Sequence, residues 1–293
     1  MISIQYFLIN IMFYLCLPFY LLQTLFLEII IRLTKNDKLI NYVRDTHNYG
    51  LFTFSTKKYN PFIRNKRQLS MYVNIIDDDT NILWPSSVFT FMSFNRPNKF
   101  IHDFNIKNDL FTYASKLPKN YCIIDGGAHI GDGAIPIAHA LTYIGRSDII
   151  VYAIEPSEYK CNFIKKIAKI NNIHNIKVLN YGLSDTNTQC KSYQCNSISN
   201  TGSMTWIYSP KGSHFVTIDY LFDNNIISHN IGAIHLDVEG YETNAIKGSK
   251  NILNKFKPYL SLERFEENNI ISLLPTDYSF KIKLGFNYIY SID

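Results

Sequence analysis

The stretch that decides the fold is residues 121–131, YCIIDGGAHIG. Its first four residues predict a short buried strand, and Gly126, Gly127 and Gly131 predict a tight turn before a helix over residues 132–145. A strand, a glycine-rich turn and a helix begin the nucleotide-binding sheets of α/β proteins. Glycines let the backbone approach a ligand closely, and the first turn of the helix offers free N–H groups. The stretch therefore predicts a nucleotide-type cofactor at this turn.

After this turn, apolar segments alternate with segments of helical periodicity. Strands are predicted at residues 149–154, 176–181, 232–236 and 259–262, and helices at residues 159–171 and 241–256. The alternation favours an α/β fold with a doubly wound, mostly parallel, Rossmann-like sheet. Acidic residues stand at the ends of the strands or just after them, at Asp125, Glu155, Asp185, Asp237 and Glu263. Ligands bind at the carboxyl edge of such sheets, so this edge is the candidate site.

Two of these acids distinguish between cofactors. Glu155, at the end of the second strand, is placed to accept hydrogen bonds from both hydroxyls of a ribose. Asp125, at the end of the first strand, would repel a pyrophosphate, whereas its charge suits the cationic methionine end of S-adenosylmethionine (SAM). Methyl transfer from SAM is therefore favoured, and an NAD(P)-dependent oxidoreductase is the alternative.

An ordered set of motifs within residues 121–263 resembles the FkbM-type SAM-dependent methyltransferases. Residues 124–132, IDGGAHIGD, are similar to the first SAM motif of that family, and residues 151–156, VYAIEP, are similar to the second. The most distinctive match is residues 234–242, IHLDVEGYE, followed by residues 258–263, PYLSLE. Further matches lie at residues 181–185, 215–221 and 247–249.

The resemblance implies a class I methyltransferase fold and transfer of a methyl group to a hydroxyl of a sugar, glycan or related metabolite. As hypotheses, Asp125 and the glycine turn would line the methionine end of SAM, and Glu155 would hold the ribose. Ser184 and Asp185 would lie near the adenine. The full set assigned to SAM is Asp125, Gly126, Gly127, Ala128, His129, Gly131, Glu155, Pro156, Ser184 and Asp185.

Three residues are candidates for the base that takes the proton from the accepting hydroxyl. Asp237 and Glu263 follow the fourth and fifth strands, beside the expected position of the methyl group. His235 lies two residues before Asp237, so both point to one face of a strand, and an imidazole of pKa about 6.5 is an apt base. The FkbM family usually carries Lys at the position of His235, and a strand histidine is also common as a hydrogen-bonded core residue. No metal site is predicted, and a divalent ion between Asp237 and Glu263 is not required.

The N-terminal segment has the character of a membrane anchor. Residues 1–27 carry no charged side chain, and the twenty-two residues 6–27 would span about 33 Å as a helix, enough for a bilayer core. Basic residues follow this segment, at Arg32, Lys35 and Lys38, and none precedes it. The sequence therefore predicts a single-pass anchor that leaves the catalytic domain on the cytoplasmic side. A hydrophobic helix that packs on the domain or lies in the membrane interface is the alternative.

Three regions are predicted along the chain: a hydrophobic segment at residues 1–33, an extension with short strands at 34–115, and a methyltransferase domain at 116–293. Within this domain, residues 190–213 are rich in Ser, Asn and Gly and predict a loop over the ligand edge. Residues 278–292 alternate as a strand would, and Gly285 among them predicts a hairpin turn or a helix stop.

Composition bounds the classes of partner. The net charge of +5 comes without a block of Lys and Arg interleaved with aromatic residues, so no nucleic-acid partner is predicted. The five cysteines have no zinc-ligand spacing. The predicted partners are a small-molecule or glycan acceptor and, through residues 6–27, a membrane. A catalytically inactive, membrane-tethered binding module is a further alternative, because a sequence does not show turnover.

Overall fold

The computed structural model describes residues 69–72, 81–84, 104–187, 189–195, 204–209, 212–263 and 271–292. The hydrophobic segment predicted at residues 1–33 lies outside this part of the chain, and so does the membrane contact predicted for residues 6–27. In the part that is described, no helix combines the length and the apolar character needed to cross a membrane.

The chain divides into two compact units. The first consists of Met1–Tyr72, Asp78–Phe100 and Gln194–Thr205. It includes the antiparallel strands β1 (Leu69–Tyr72) and β2 (Asn81–Trp84). The second consists of Val73–Asp77, Ile101–Tyr193 and Trp206–Asp293. Every residue proposed above for cofactor binding or catalysis belongs to this second unit.

The second unit contains the described helices and most of the remaining described strands. The remaining strands, in chain order, are β3 (Tyr121–Gly126), β4 (Ile150–Ile154), β5 (Ile176–Leu179), β6 (Gly182–Leu183), β7 (Gln189–Cys195), β8 (Met204–Tyr208), β9 (Ser213–Val216), β10 (Asn230–Leu236), β11 (Tyr259–Glu263), β12 (Tyr278–Leu284) and β13 (Asn287–Ile292). The helices are α1 (Phe104–Ala114), α2 (Ala134–Tyr143), α3 (Glu158–Ile170), α4 (Ile218–Asp223), α5 (Glu242–Lys247) and α6 (Lys250–Phe256).

Seven strands form the main sheet, in the order β12-β13-β11-β10-β3-β4-β5. The strands from β11 to β5 run parallel to their neighbours, whereas β13 is antiparallel to β11 and β12 is antiparallel to β13. The predicted mostly parallel, Rossmann-like sheet is therefore confirmed. The chain ends in a hairpin at the edge of this sheet, with Gly285 (φ 60°) between its two strands.

The central strands are buried because helices pack on the sheet, α2 on β4 and α6 on β10. The fully buried side chains include Ile123, Ile124, Tyr152, Ile234 and Leu260. Removing a large apolar side chain from water contributes about 1.5–3 kcal/mol. Buried parallel strands are therefore continuous apolar runs in a sequence, and such runs are what predicted their positions correctly.

Side-chain hydroxyls fix the start of two helices. The Ser157 hydroxyl accepts a hydrogen bond from the backbone N–H of Lys160 at the start of α3. The Thr217 hydroxyl accepts one from the N–H of Tyr220 at the start of α4. Each cap satisfies an N–H group that has no partner within its own helix. As a result, α3 begins almost directly after β4, and α4 directly after β9.

The helix predicted over residues 241–256 is in fact two helices, α5 and α6. They separate at Gly248 and Ser249, where the chain packs against another part of the fold. A Cβ added to Gly248 would lie 2.1 Å from the carbonyl oxygen of Ser184. Only glycine permits this approach, and the helix is interrupted at that point.

The loop predicted at residues 190–213 is wrong, because this part of the chain contains most of β7, all of β8 and the first residue of β9. These strands belong to a second sheet with the order β6-β9-β7-β8, in which β9 is parallel to β6 and antiparallel to β7. An antiparallel strand needs apolar side chains on one face only, so a polar composition does not exclude a strand.

The helix α1 was not predicted. It packs on α2 and β10, and its side chains at Ile106, Leu110 and Ala114 are buried. Apolar residues four positions apart lie on one face of a helix, which explains this packing. The helix precedes residue 116, where the methyltransferase domain was predicted to begin, and it lies in the same compact unit as the main sheet.

Asp219 connects the start of α4 to the start of α6. Its carboxylate accepts the backbone N–H groups of Asn251 and Ile252, at 2.9 and 3.0 Å. We expect Asp219→Ala to lower the free energy of unfolding by about 1–2 kcal/mol, because two N–H groups of α6 lose their acceptor. Urea unfolding measures this change. Asp223→Ala removes an exposed carboxylate from the same helix and should change stability by less than about 0.5 kcal/mol. Equal losses in both variants would contradict the capping role.

Candidate functional site

The glycine turn after β3 packs directly against the end of β10. Gly127 has a φ of 80° and His129 a φ of 48°, both in the left-handed region. The N–H groups of Gly127 and Ala128 both donate to the carbonyl oxygen of Ile154, at 2.9 and 3.0 Å. A Cβ added to Gly127 would lie 1.7 Å from the carbonyl oxygen of Asp237. Glycine is therefore required at residue 127, and the turn joins the ends of β3, β4 and β10.

Glu155 fixes the turn after β4 to the turn after β3. Its carboxylate is 4% exposed and accepts hydrogen bonds from two backbone N–H groups, those of His129 at 3.0 Å and Ser157 at 2.9 Å. The next carbonyl, that of Pro156, accepts the side-chain amide of Asn180 at 2.9 Å. Each oxygen of a carboxylate has a further lone pair, so Glu155 retains the capacity to accept a ribose hydroxyl.

Asp125 and His235 form a hydrogen-bonded pair across β3 and β10. They stand opposite each other in the sheet, and Asp125 Oδ1 lies 2.8 Å from His235 Nδ1. Asp125 is 4% exposed, and its Oδ2 has no hydrogen-bond partner among the described residues. A Cβ added to Gly133 would lie 3.0 Å from this oxygen. A buried oxygen without a donor costs free energy, so Asp125 Oδ2 marks a place where a donor group is expected.

The pKa of His235 is raised above the ordinary value of a histidine. Burial alone would lower its pKa, but the hydrogen bond to Asp125 and the negative charges of Asp125 and Asp237 together raise it. An ionised carboxylate accepts hydrogen bonds and does not donate them, so Nδ1 of His235 carries a hydrogen. The pair therefore leaves Nε2 as the ring nitrogen that gains or loses a proton.

Asp237 and Glu263 form a carboxyl pair at the ends of β10 and β11. Burial raises the pKa of Asp237 to about 7, helped by a hydrogen bond to Glu263 and by its charge. The charge of His235 acts in the opposite direction. Two carboxyl groups can hydrogen bond to each other only if they hold a proton between them. Asp237 therefore keeps its proton well above the ordinary pKa of an aspartate and releases it at about pH 7.

Lys107 is a residue of this edge that the sequence did not reveal. It lies on α1, is 5% exposed, and its Nζ is 3.1 Å from Asp132 Oδ2. The other oxygen of Asp132 lies 3.8 Å from Nδ1 of His129. Although burial opposes it, the charge of Lys107 and the contact with His129 hold the pKa of Asp132 well below its ordinary value. The sequence did contain a signal for this helix, because the apolar residues that α1 buries are spaced four positions apart.

Ser184 and Asp185 lie beyond β6, beside α5. The N–H of Ser184 donates to the carbonyl of Val216, and its hydroxyl donates to Asp185 Oδ1 at 3.2 Å. Ser184 is buried and Asp185 is exposed. Burial would raise the pKa of Asp185, but a hydrogen bond from Asn244 and other contacts lower it. Of these two predicted cofactor contacts, Asp185 is therefore the side chain that is accessible from solvent.

Glu242, at the first position of α5, serves the loop before that helix. Its Oε1 accepts the N–H groups of Val238 at 3.0 Å and of Gly240 at 3.4 Å. This loop contains two residues in the left-handed region, Glu239 (φ 52°) and Gly240 (φ 92°). The bonds from Glu242 hold the loop that follows Asp237, and so help to fix the carboxyl pair. Among the described residues, no group of three or more His, Cys, Asp or Glu side chains is arranged to hold a metal ion.

The parallel sheet, the glycine turn and the acidic carboxyl edge define an α/β domain that is built for a nucleotide-type cofactor. A family model described as the methyltransferase FkbM domain matches residues 125–281, more than half of the chain. The chain therefore belongs to the FkbM methyltransferase family, whose members are SAM-dependent methyltransferases. No curated protein matches the chain.

Several solved structures are similar to the chain. For methyltransferase FkbM from Methylobacillus flagellatus KT, the identity is 17% and the TM-score 0.42, over 60% of this chain and 44% of that one. For a methyltransferase from Streptococcus mutans in complex with SAH, the identity is 13% and the TM-score is 0.38, and the match covers 66% of this chain and 98% of that one. For an rRNA methylase from Streptococcus thermophilus, the identity is 9% and the TM-score 0.37, over 63% and 95%. The chain thus spans less than half the length of the Methylobacillus protein.

Asp237 should make the stability of the fold depend on pH. Its pKa is about 7 in the folded protein and 3.8 ordinarily, so the folded state binds a proton that the unfolded state releases. Stability from this group is fully present below pH 3.8 and is lost as the pH rises to about 7. We expect Asp237→Asn, which stays neutral, to become more stable relative to wild type over this range. The gain should exceed about 1 kcal/mol, the equivalent of one pKa unit.

Urea unfolding at a series of pH values across this range measures the difference. Asp223→Asn, which neutralises an exposed carboxylate, is the control and should follow the wild-type curve. The raised pKa of His235 gives a loss of stability in the same direction at higher pH. Parallel curves for wild type and Asp237→Asn would show that Asp237 does not hold the extra proton.

Proposed function

We propose that this chain transfers a methyl group from SAM to a hydroxyl of a sugar, glycan or related small metabolite. The observation that carries the proposal is the buried Asp125, which holds His235 with one oxygen, while its other oxygen has no partner among the described residues. The carboxyl pair of Asp237 and Glu263 stands at the neighbouring strand ends. A cation-binding acid next to a proton acceptor is the combination that methyl transfer to a hydroxyl requires.

The residues of the edge fit SAM. Asp125 Oδ2 suits the ammonium group at the methionine end, because that group donates up to three hydrogen bonds and is positively charged. Glu155 retains lone pairs for the ribose hydroxyls, and Asp185 is exposed for the adenine side. The glycine turn allows close approach of the backbone. The proposed contacts therefore follow the order of the strand ends β3, β4 and β6.

The base of the reaction is proposed to be the carboxyl pair. SAM supplies a methyl group on a positively charged sulfur; the hydroxyl oxygen forms a bond to the methyl carbon, and the carbon–sulfur pair stays on sulfur. The hydroxyl proton must pass to a nearby group as this bond forms. A carboxyl of pKa about 7, as at Asp237, is effective near neutral pH. His235 supports the pair through its charge and is the second candidate for the base.

The acceptor follows only from family membership and from the predicted anchor. An anchor at residues 6–27 would hold the domain at the cytoplasmic face of a membrane, where a lipid-linked sugar is a suitable acceptor. A soluble sugar or nucleotide-activated sugar suits the same chemistry, because each presents a hydroxyl. This part of the proposal rests on the sequence, and acceptor assays decide between these classes.

Calorimetric titration of SAM into the full chain tests the cofactor. We expect a dissociation constant in the micromolar range, weakened about tenfold or more in Asp125→Asn, because a charge-assisted hydrogen bond is worth about 1.5–3 kcal/mol. Glu155→Gln should also weaken SAM. Asp223→Asn, which changes an exposed carboxylate on α4, should bind as wild type does. Binding of NADH instead of SAM would favour an oxidoreductase, and binding of neither by folded protein would contradict the proposal.

Methyl transfer is measured with methyl-labelled SAM and hydroxylated acceptors: monosaccharides, nucleotide-activated sugars and a lipid-linked sugar. We expect labelled product from one class, with kcat falling about a hundredfold in Asp237→Asn while the affinity for SAM changes little. The wild-type rate should rise as the pH rises through about 7, because Asp237 then loses its proton. SAM binding without transfer to any hydroxyl would instead indicate an inactive binding module.

A further inference from the structure

We propose that Lys107 recognises the carboxylate of the amino-acid end of SAM, opposite Asp125, which takes the ammonium group. This inference rests on the proposed function and deepens it, because it names the residues that distinguish SAM from other nucleosides. It is carried by three observations: the environment of Lys107, its continuity with Asp125, and the charges of the ligand.

The environment of Lys107 favours the binding of a second anion beside its ammonium group. The side chain is buried, and burying an ammonium group is costly unless it is well paired. It also lies in the first turn of α1, an eleven-residue helix with no acidic residue there, where the helix dipole disfavours a cation. An ammonium group has three N–H donors. In the described part of the chain, Lys107 donates one hydrogen bond, to Asp132.

Lys107 is linked through residues 131–133 to Asp125 Oδ2, which has no partner in the part of the chain that the structure describes. Its partner Asp132 lies between Gly131 (φ 87°) and Gly133, in the segment between β3 and α2. A Cβ at Gly133 would lie 3.0 Å from Asp125 Oδ2. The charge of Lys107 also acts on His235, the partner of Asp125. A buried cation and a buried oxygen that lacks a partner among the described residues therefore both lie beside this short segment, and Asp132 positions Lys107.

The ligand carries the complementary charges. The methionine end of SAM has an ammonium and a carboxylate group on one carbon atom, so a site for this end needs an anion and a cation close together. Asp125 and Lys107 supply them. Asp132 contacts Lys107 with one oxygen and His129 with the other, so the ammonium group of Lys107 keeps N–H donors for a second acceptor. Nucleosides without the amino-acid end gain nothing from this arrangement.

Decarboxylated SAM tests the proposed contact of Lys107 with the carboxylate separately from the contact of Asp125 with the ammonium group. It keeps the adenosine, the sulfonium and the amino group, and lacks only the carboxylate. We expect wild type to bind SAM about tenfold or more tightly than decarboxylated SAM. In Lys107→Met, SAM binding should weaken by a similar factor, while binding of decarboxylated SAM should stay within about threefold of wild type. Lys116→Met, an exposed lysine just after α1, is the control and should bind both ligands as wild type does.

Each outcome bears on the inference. Equal weakening of both ligands in Lys107→Met, or no weakening of either, would overturn it. The comparison of the two ligands in wild type needs no variant, so equal affinities there would overturn it even if Lys107→Met does not fold. Failure of wild type to bind either ligand would overturn the proposed function and this inference together. Preference for SAM with a normal Lys107→Met variant would leave the proposed function intact and assign the carboxylate to another residue.

Discussion

The register that pairs β3 with β10 is the constraint on which the polar edge depends. It places His235 directly opposite Asp125, at hydrogen-bonding distance. The turn that follows is held as closely, because a Cβ on Gly127 would lie 1.7 Å from the carbonyl oxygen of Asp237. A slip of one residue would turn Asp125 to the opposite face of the sheet and separate it from His235. The glycine turn and the hydrogen bond between Asp125 and His235 therefore both depend on this register.

The carboxyl edge of the sheet holds several buried charged groups, and burying a charge does not favour folding. Buried ion pairs lose hydration and recover only part of it, so they contribute little to stability. The matched groups are Asp125 with His235, Asp132 with Lys107, and Asp237 with Glu263 through a shared proton. Matching is incomplete at Asp125 Oδ2, which is the one oxygen of these groups that is buried without a partner among the described residues. Incomplete pairing of this kind is expected where a ligand completes the hydrogen bonding.

The sequence predicted the parts of the structure that depend on local pattern. The strands β3, β4 and β10 are continuous apolar runs, and residues 127–131 of the motif form the turn that was expected after β3. The sequence pattern did not predict the contacts between distant parts of the chain. The break at Gly248 exists because the Ser184 carbonyl packs there, and Lys107 joins the site only because α1 packs on α2 and β10. The hydrogen bond of His235 to Asp125 depends on strand order, which a pattern of strands and helices leaves open.

The histidine at residue 235 gives this edge a property that the lysine usual in the family would not give. A lysine beside Asp125 would stay positive at every physiological pH, whereas His235 loses its charge above its raised pKa. Asp237 releases its proton at about pH 7. Both changes make the edge more negative as the pH rises. A more negative edge accepts the proton of the hydroxyl more readily, so catalysis is expected to improve as the pH rises.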